Sequence, residues 1–139
     1  MYNSEQAIRK RTHWLTWLGL SPFLAGALLI LSGYNESMVI EALRNYAAII
    51  LTFVGAIHWG RALQLKQAKL ATLSIWPSIY AWLCLFLPAE RGLLVLALGF
   101  LLVLIVDLYQ YRATEWFRQL RIQISFSVTG LLFISWSLA

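Results

Sequence analysis

His58, Arg61 and Asp107 are the residues of this chain whose types and placement could do chemistry together, with Ser74, Trp76 and Tyr80 as further candidates for lining the same polar site. His58 falls near the end of YAAIILTFVGAIHWG, residues 46–60, where an uncharged apolar run meets a histidine, a tryptophan and a glycine. Asp107 ends a second such run, LLVLALGFLLVLIVD, residues 93–107, and is the only acid inside any of the long apolar segments. An imidazole titrates near neutral pH. A charged side chain within a membrane span costs about 2.5–3.5 kcal/mol on insertion scales, so an ionisable residue there is a functional candidate by default. Pairing of Asp107 with His58 or Arg61 would offset that cost. Two roles fit the pair. One is a structural clamp between two helices, of modest energetic value at about 0.6–2 kcal/mol. The other is a site for a small ligand or a proton.

Other chemistries find less in the chain. A second histidine, His13, could suggest bis-histidine haem, but it lies nearer the surface than His58, and no C-x-x-C-H motif is present. The single cysteine, Cys84, excludes an internal disulfide and any multi-cysteine metal centre. Metal binding requires more converging nitrogen, oxygen or sulfur ligands than these residues supply. Phosphate-binding glycine loops, Ser–His–Asp order and zincin motifs are all missing. No cofactor is implied, no catalytic residue stands out, and an enzyme is unsupported.

The elements that must position these residues follow from composition. Of 139 residues, 60% are hydrophobic and 12% charged, and the mean hydropathy is +0.70. Soluble domains carry about 25% charged residues, and a small soluble chain could not hide so much apolar surface. The solvent this composition fits is a bilayer. About 20 apolar residues of helix cross a hydrocarbon core, with a range of roughly 17–25. Five stretches qualify, Trp14–Gly33, Tyr46–Leu63, Leu70–Leu87, Leu93–Leu108 and Ile122–Leu138, the fourth extended by flanking residues to 92–111. They leave no room for a soluble domain, so residues 1–139 form one integral membrane domain. The runs are too long for strands and lack period-2 alternation. The expected fold is therefore all-α, a five-helix transmembrane bundle.

Lysine and arginine orient it. Arg9, Lys10 and Arg11 precede the first span, Arg61, Lys66 and Lys69 lie around the second connection, and Arg112, Arg118 and Arg121 lie in the fourth. Arg44 and Arg91 alone mark the other side. By the positive-inside rule the N-terminus is cytoplasmic and the C-terminus outside. This puts His58 and Asp107 in the same, cytoplasmic half. The first segment resembles a signal peptide in its basic start, but its apolar run exceeds the roughly 7–15 residues of such a leader, and it is retained as a helix. Arg112–Arg121, RATEWFRQLR, places Ala113, Trp116, Phe117 and Leu120 on one face and polar groups on the other, the pattern of a short interfacial helix before the last span.

On the second helix, Tyr46, Ile50, Phe53 and Ile57 share a bulky face suited to lipid. Ala48, Thr52, Gly55, Trp59 and Ala62 share the opposite, mostly small face, and small residues allow helices to approach in a membrane. His58 projects about 70° from the centre of that small face at roughly 100° per residue. Pro77 in the third helix frees a carbonyl and predicts a bend, as does Pro22 in the first.

YAAIILTFVGAIHWG, LSIWPSIYAWLCLFLP and LLVLALGFLLVLIVD resemble the core segments of a family of small multi-span membrane proteins classed under a domain of unknown function. That family includes bacterial inner-membrane proteins and the mitochondrial transmembrane-protein-sixty-nine group. LGLSPFLAGALLIL and WFRQLRIQISF are similar too, and GAIHWG, residues 55–60, is the most specific piece. The resemblance implies a multi-pass membrane protein of undetermined activity, in a bacterial inner membrane or, in a eukaryote, the mitochondrial inner membrane. Three functions of different kinds fit the chain. The leading one is a small-ligand or proton binding or transport module whose cytoplasm-facing site is lined by His58, Arg61, Ser74, Trp76, Tyr80 and Asp107. The alternatives are an accessory or assembly subunit of a larger membrane complex and a membrane enzyme. The expected partners are the lipid bilayer and, through small-residue faces, another copy of the chain or a larger complex. Nucleic acid is not among them, because the basic residues are dispersed between apolar segments.

Overall fold

A computed structural model describes residues 2–110 and 115–139 as five α-helices, with no strand among the described residues. They are α1 (Tyr2–Leu31), α2 (Glu36–Leu65), α3 (Ala68–Cys84), α4 (Ala89–Gln110) and α5 (Glu115–Leu138). Three of them are long and apolar enough to cross a membrane by length and composition: α1 over Ser4–Leu31, α2, and α4 over Ala89–Tyr109. With 17 residues, α3 is shorter, and α5 is less apolar because serines and threonine interrupt it at Ser125, Ser127, Thr129, Ser135 and Ser137.

The connections show why the helices stop where they do. Gly33, at φ +73°, takes the left-handed conformation after α1, and the N–H of Tyr34 reaches back to the Leu29 carbonyl, the Schellman closure that favours glycine. Lys66 adopts the left-handed conformation after α2, leaving a tight link to α3. α3 ends at Cys84, short of the expected 87, because Leu85, Phe86 and Leu87 bond three residues back in tightened turns before Pro88. Pro22 and Pro77 both lie inside continuous helices.

Neighbouring helices run antiparallel, as individual contacts establish. Tyr46 donates its hydroxyl to the Gly19 carbonyl at 2.9 Å, and Gly26 abuts Leu43, joining α1 to α2. Gly55 meets Ser74 and Pro77 across the α2–α3 seam. Tyr80 donates to the Val95 carbonyl at 2.6 Å, and Gly92 lies against the Cys84 carbonyl, joining α3 to α4. One end of the bundle thus gathers the starts of α1, α3 and α5 and the ends of α2 and α4. Arg9, Lys10, Arg11, Arg61, Lys66, Lys69, Arg118 and Arg121 belong to that end, and Arg44 and Arg91 to the other.

The core draws on all five helices, with Phe23, Leu51, Leu93, Leu96 and Leu132 almost fully enclosed. Phe23 packs its ring on Tyr46 and, edge-on, on Phe100. α2 presents a wider packed face than its spacing suggests. Ala48, Gly55 and Ala62 are buried as expected, whereas Thr52 and Trp59 from the same set are exposed. On the face assigned to lipid, Phe53 is exposed but Tyr46, Ile50 and Ile57 are half-buried. The reason is that α2 touches α1, α3 and α4 at once, so its contact arc is centred nearer Leu51, Val54 and His58.

Glu115–Arg121 form the first turns of α5 and continue into it without a break, so this part of the expected interfacial helix belongs to the last helix. Residues 112–114 lie outside the described residues.

Candidate functional site

Parallel α2 and α4 bring His58 and Asp107 together near their C-terminal ends. His58 Nε2 lies 2.8 Å from Asp107 Oδ1. Because a carboxylate oxygen only accepts, this contact places the imidazole proton on Nε2. α5, antiparallel to α4, brings a third member that the sequence reading left among the connection cations. Arg121 donates its Nε–H to Asp107 Oδ2 at 2.9 Å, and its Nη2 reaches the same oxygen. Both carboxylate oxygens are therefore engaged, one by α2 and one by α5. His58 is 1% exposed and Asp107 6% exposed. At that depth ionic groups persist only with good geometry and satisfied hydrogen bonds, and the two contacts on Asp107 supply both.

The other candidates divide by seam. Arg61 lies one turn beyond His58, half-buried, with its Nε enclosed. Ser74 is buried where α3 meets Gly55, and its hydroxyl donates to the Ala71 carbonyl of its own helix at 2.6 Å. Trp76 and Tyr80 form an edge-to-face pair, ring centroids 5.9 Å apart, and Tyr80 packs against Gly99 on the α3–α4 seam. His13 stacks near Trp116, centroids 6.3 Å apart, between α1 and α5. The structure thus joins His58 to Asp107, sets Arg61 one turn along α2 from His58, seats Ser74 on the α2–α3 seam, and puts Tyr80, with Trp76 edge-on against it, on the α3–α4 seam. Arg121 was legible only in part: a buried acid needs a cation, and Arg121 is the last charge before the final apolar run, but its reach to Asp107 depends on how α5 turns against α4.

Access to the network is narrow. A cleft of about 10 Å³ opens beside it, lined by Ile57, Leu104, Asp107, Leu108, Phe117, Arg118 and Arg121. That is room for about one water. A wider, open groove of about 470 Å³ lies at the opposite end, between Glu36, Ser37 and Ile40 of α2 and Pro88, Ala89 and Glu90. None of the six candidate residues lines it.

Over residues 8–137 the chain matches the family described as "Protein of unknown function (DUF3429)". The chain belongs to this family. The match takes in α2, α3 and α4 whole, most of α1 and α5, and all three residues of the network, His58, Asp107 and Arg121. No curated protein and no solved structure matches the chain.

In this DUF3429 member the network can do two things chemically. It can hold three helices together at one end, and it can take up or hand on a proton, since an imidazole and a carboxylate sharing a hydrogen bond are a proton-transfer pair. Among the described residues no three His, Cys, Asp or Glu side chains converge as a metal site would require.

Proposed function

We propose that this chain is a multi-pass integral membrane protein that binds and passes protons through the His58–Asp107–Arg121 network. The observation that carries this reading is the convergence of three ionisable side chains from three helices, two of which, Asp107 and Arg121, line a cleft with space for about one water. The size of the cleft favours a proton over an organic ligand. Ionisable residues inside membrane helices are costly and recur on ion pathways and proton relays. Arg61, one turn further along α2, and Ser74, on α3 where it meets Gly55, are the nearest other polar candidates. Protein reconstituted in vesicles loaded with a pH-sensitive dye should carry protons down an imposed membrane potential faster than empty vesicles. His58→Gln and Asp107→Asn should return the flux to the empty-vesicle level, whereas Arg91→Gln, at the far end, should not. Wild-type flux equal to that of empty vesicles would refute the reading.

We take all five helices as spans, with α3 and α5 completing the set, and the basic end as cytoplasmic. The membrane is then a bacterial inner membrane, or the mitochondrial inner membrane if the chain is eukaryotic, in keeping with the resemblance to the transmembrane-protein-sixty-nine group. A reporter fused after Ala139 is expected to be active only outside the cytoplasm, and one inserted at residues 64–69 only inside. Inverted signals would overturn the orientation.

A second reading, an accessory or assembly subunit, draws on α5. Its exposed side carries Gln123, Gly130 and Ser137, and Gly130 has open space around it. Polar and small groups on a lipid-facing surface suit contact with another membrane protein.

A further inference from the structure

The α1–α5 junction carries a feature that the proton reading does not use. α1 continues as helix for two to three turns before its apolar part, through Glu5, Arg9 and His13. Arg9 lies over the Trp116 ring, its guanidinium carbon 5.7 Å from the ring centroid, and His13 approaches the same ring from the next turn. Phe117 packs edge-to-face on Trp116. Cation–π contact holds a guanidinium by its face, while its five N–H donors lie in the plane, in a fork that matches phosphate oxygens. Among the described residues Arg9 makes no ion pair, since the carboxylates that do are Glu41 and Asp107. Lys10 and Arg11 are exposed beside it, and Trp14 and Trp17, also exposed, stand one and two turns further along α1. Tryptophans at that level belong to the headgroup belt of a membrane protein.

We propose that the α1–α5 junction binds the phosphate of an anionic phospholipid, with Arg9, immobilised on Trp116, as its anchor and Lys10 and Arg11 adding diffuse attraction. The partner chemistry follows from the position. A guanidinium held on a ring, with no ion pair among the described residues, above a tryptophan belt at the basic end of a membrane bundle, meets phosphodiesters before other anions. Each lysine or arginine near an anionic leaflet contributes about 1 kcal/mol. The inference rests on the membrane character of the chain and is independent of proton binding.

The test uses the full chain in detergent with added phosphatidylglycerol or phosphatidylcholine, and native mass spectrometry to count retained lipid. Wild-type protein should retain phosphatidylglycerol preferentially. Arg9→Gln should lower that preference about fivefold. Trp116→Leu, which frees Arg9 but leaves its charge, should lower it less, and Arg91→Gln at the far end should leave it unchanged. Helical content by circular dichroism checks that each variant is folded. Equal retention of both lipids by wild-type protein, or equal behaviour of Arg9→Gln and Arg91→Gln, would overturn the proposal. Displacement of the lipid by millimolar inorganic phosphate would overturn the lipid as the source of the anion.

Discussion

Asp107→Ala is expected to lower the stability of the folded bundle by about 3–5 kcal/mol, the range for removing one partner of a buried ion pair. Interhelical hydrogen bonds in membrane proteins average only about 0.6 kcal/mol, because an unfolded helix in lipid finds other partners. Asp107 should exceed that average for a specific reason. Both of its carboxylate oxygens are occupied, so its loss leaves the Arg121 guanidinium without its anion and His58 Nε2 without its acceptor, in surroundings where Asp107 itself is only 6% exposed. Unfolding in detergent, followed by circular dichroism, measures the loss. His58→Ala and Arg121→Gln should each cost less than Asp107→Ala, since each leaves the carboxylate one remaining partner. In a cycle pairing His58→Ala with Asp107→Asn, the double variant should lose less than the sum of the singles, with a coupling of about 0.5–3 kcal/mol. Additive losses would show that the two side chains act independently, and the network would then explain neither stability nor proton binding.

Gly55→Leu is expected to separate α3 from α2. A Cβ placed at Gly55 would stand 2.9 Å from both Cβ and Cγ of Pro77 and 3.1 Å from the Ser74 carbonyl oxygen. A pyrrolidine ring and a helix backbone cannot rotate aside, so even Gly55→Ala should cost about 1–3 kcal/mol, the usual range for overpacking, and leucine more. Gly26 offers the informative contrast. There the three atoms nearest to a Cβ all belong to the side chain of Leu43, which can change rotamer where a proline ring and a helix backbone cannot, and alanine should be tolerated better. Ile50→Leu, volume-conserving and half-buried, should cost less than about 1.5 kcal/mol. The same detergent unfolding assay compares all four variants. Equal losses at Gly55 and Ile50 would mean that the α2–α3 seam is elsewhere.

Helical class, the number of helices and the pairing of their ends are legible in the sequence because each rests on a local property. Apolar runs of about helix-spanning length can bury their backbone polar groups only as helices in a bilayer, and the alternation of Arg9–Arg11, Lys66–Lys69 and Arg118–Arg121 with Arg44 and Arg91 already sorts the ends. His58 and Asp107 could be matched for the same reason: each is an isolated ionisable residue near the same end of parallel runs, and only one acid was present to match. What tertiary structure alone decided is rotation about the helix axes. The spacing on α2 put His58 at the margin of a narrow small-residue face, whereas contact with three helices widens that face until His58 is enclosed. Arg121 joins Asp107 only because α5 folds back with its first turns continuous with the rest. Tyr80, polar-tipped and close to Pro77 in sequence, turns instead toward Val95 and Gly99, with Trp76 edge-on against its ring. A side chain's depth follows from its distance along one helix, which a sequence records. Its neighbours follow from the azimuths of several helices packed together, and those are set by the fit of surfaces far apart in the chain.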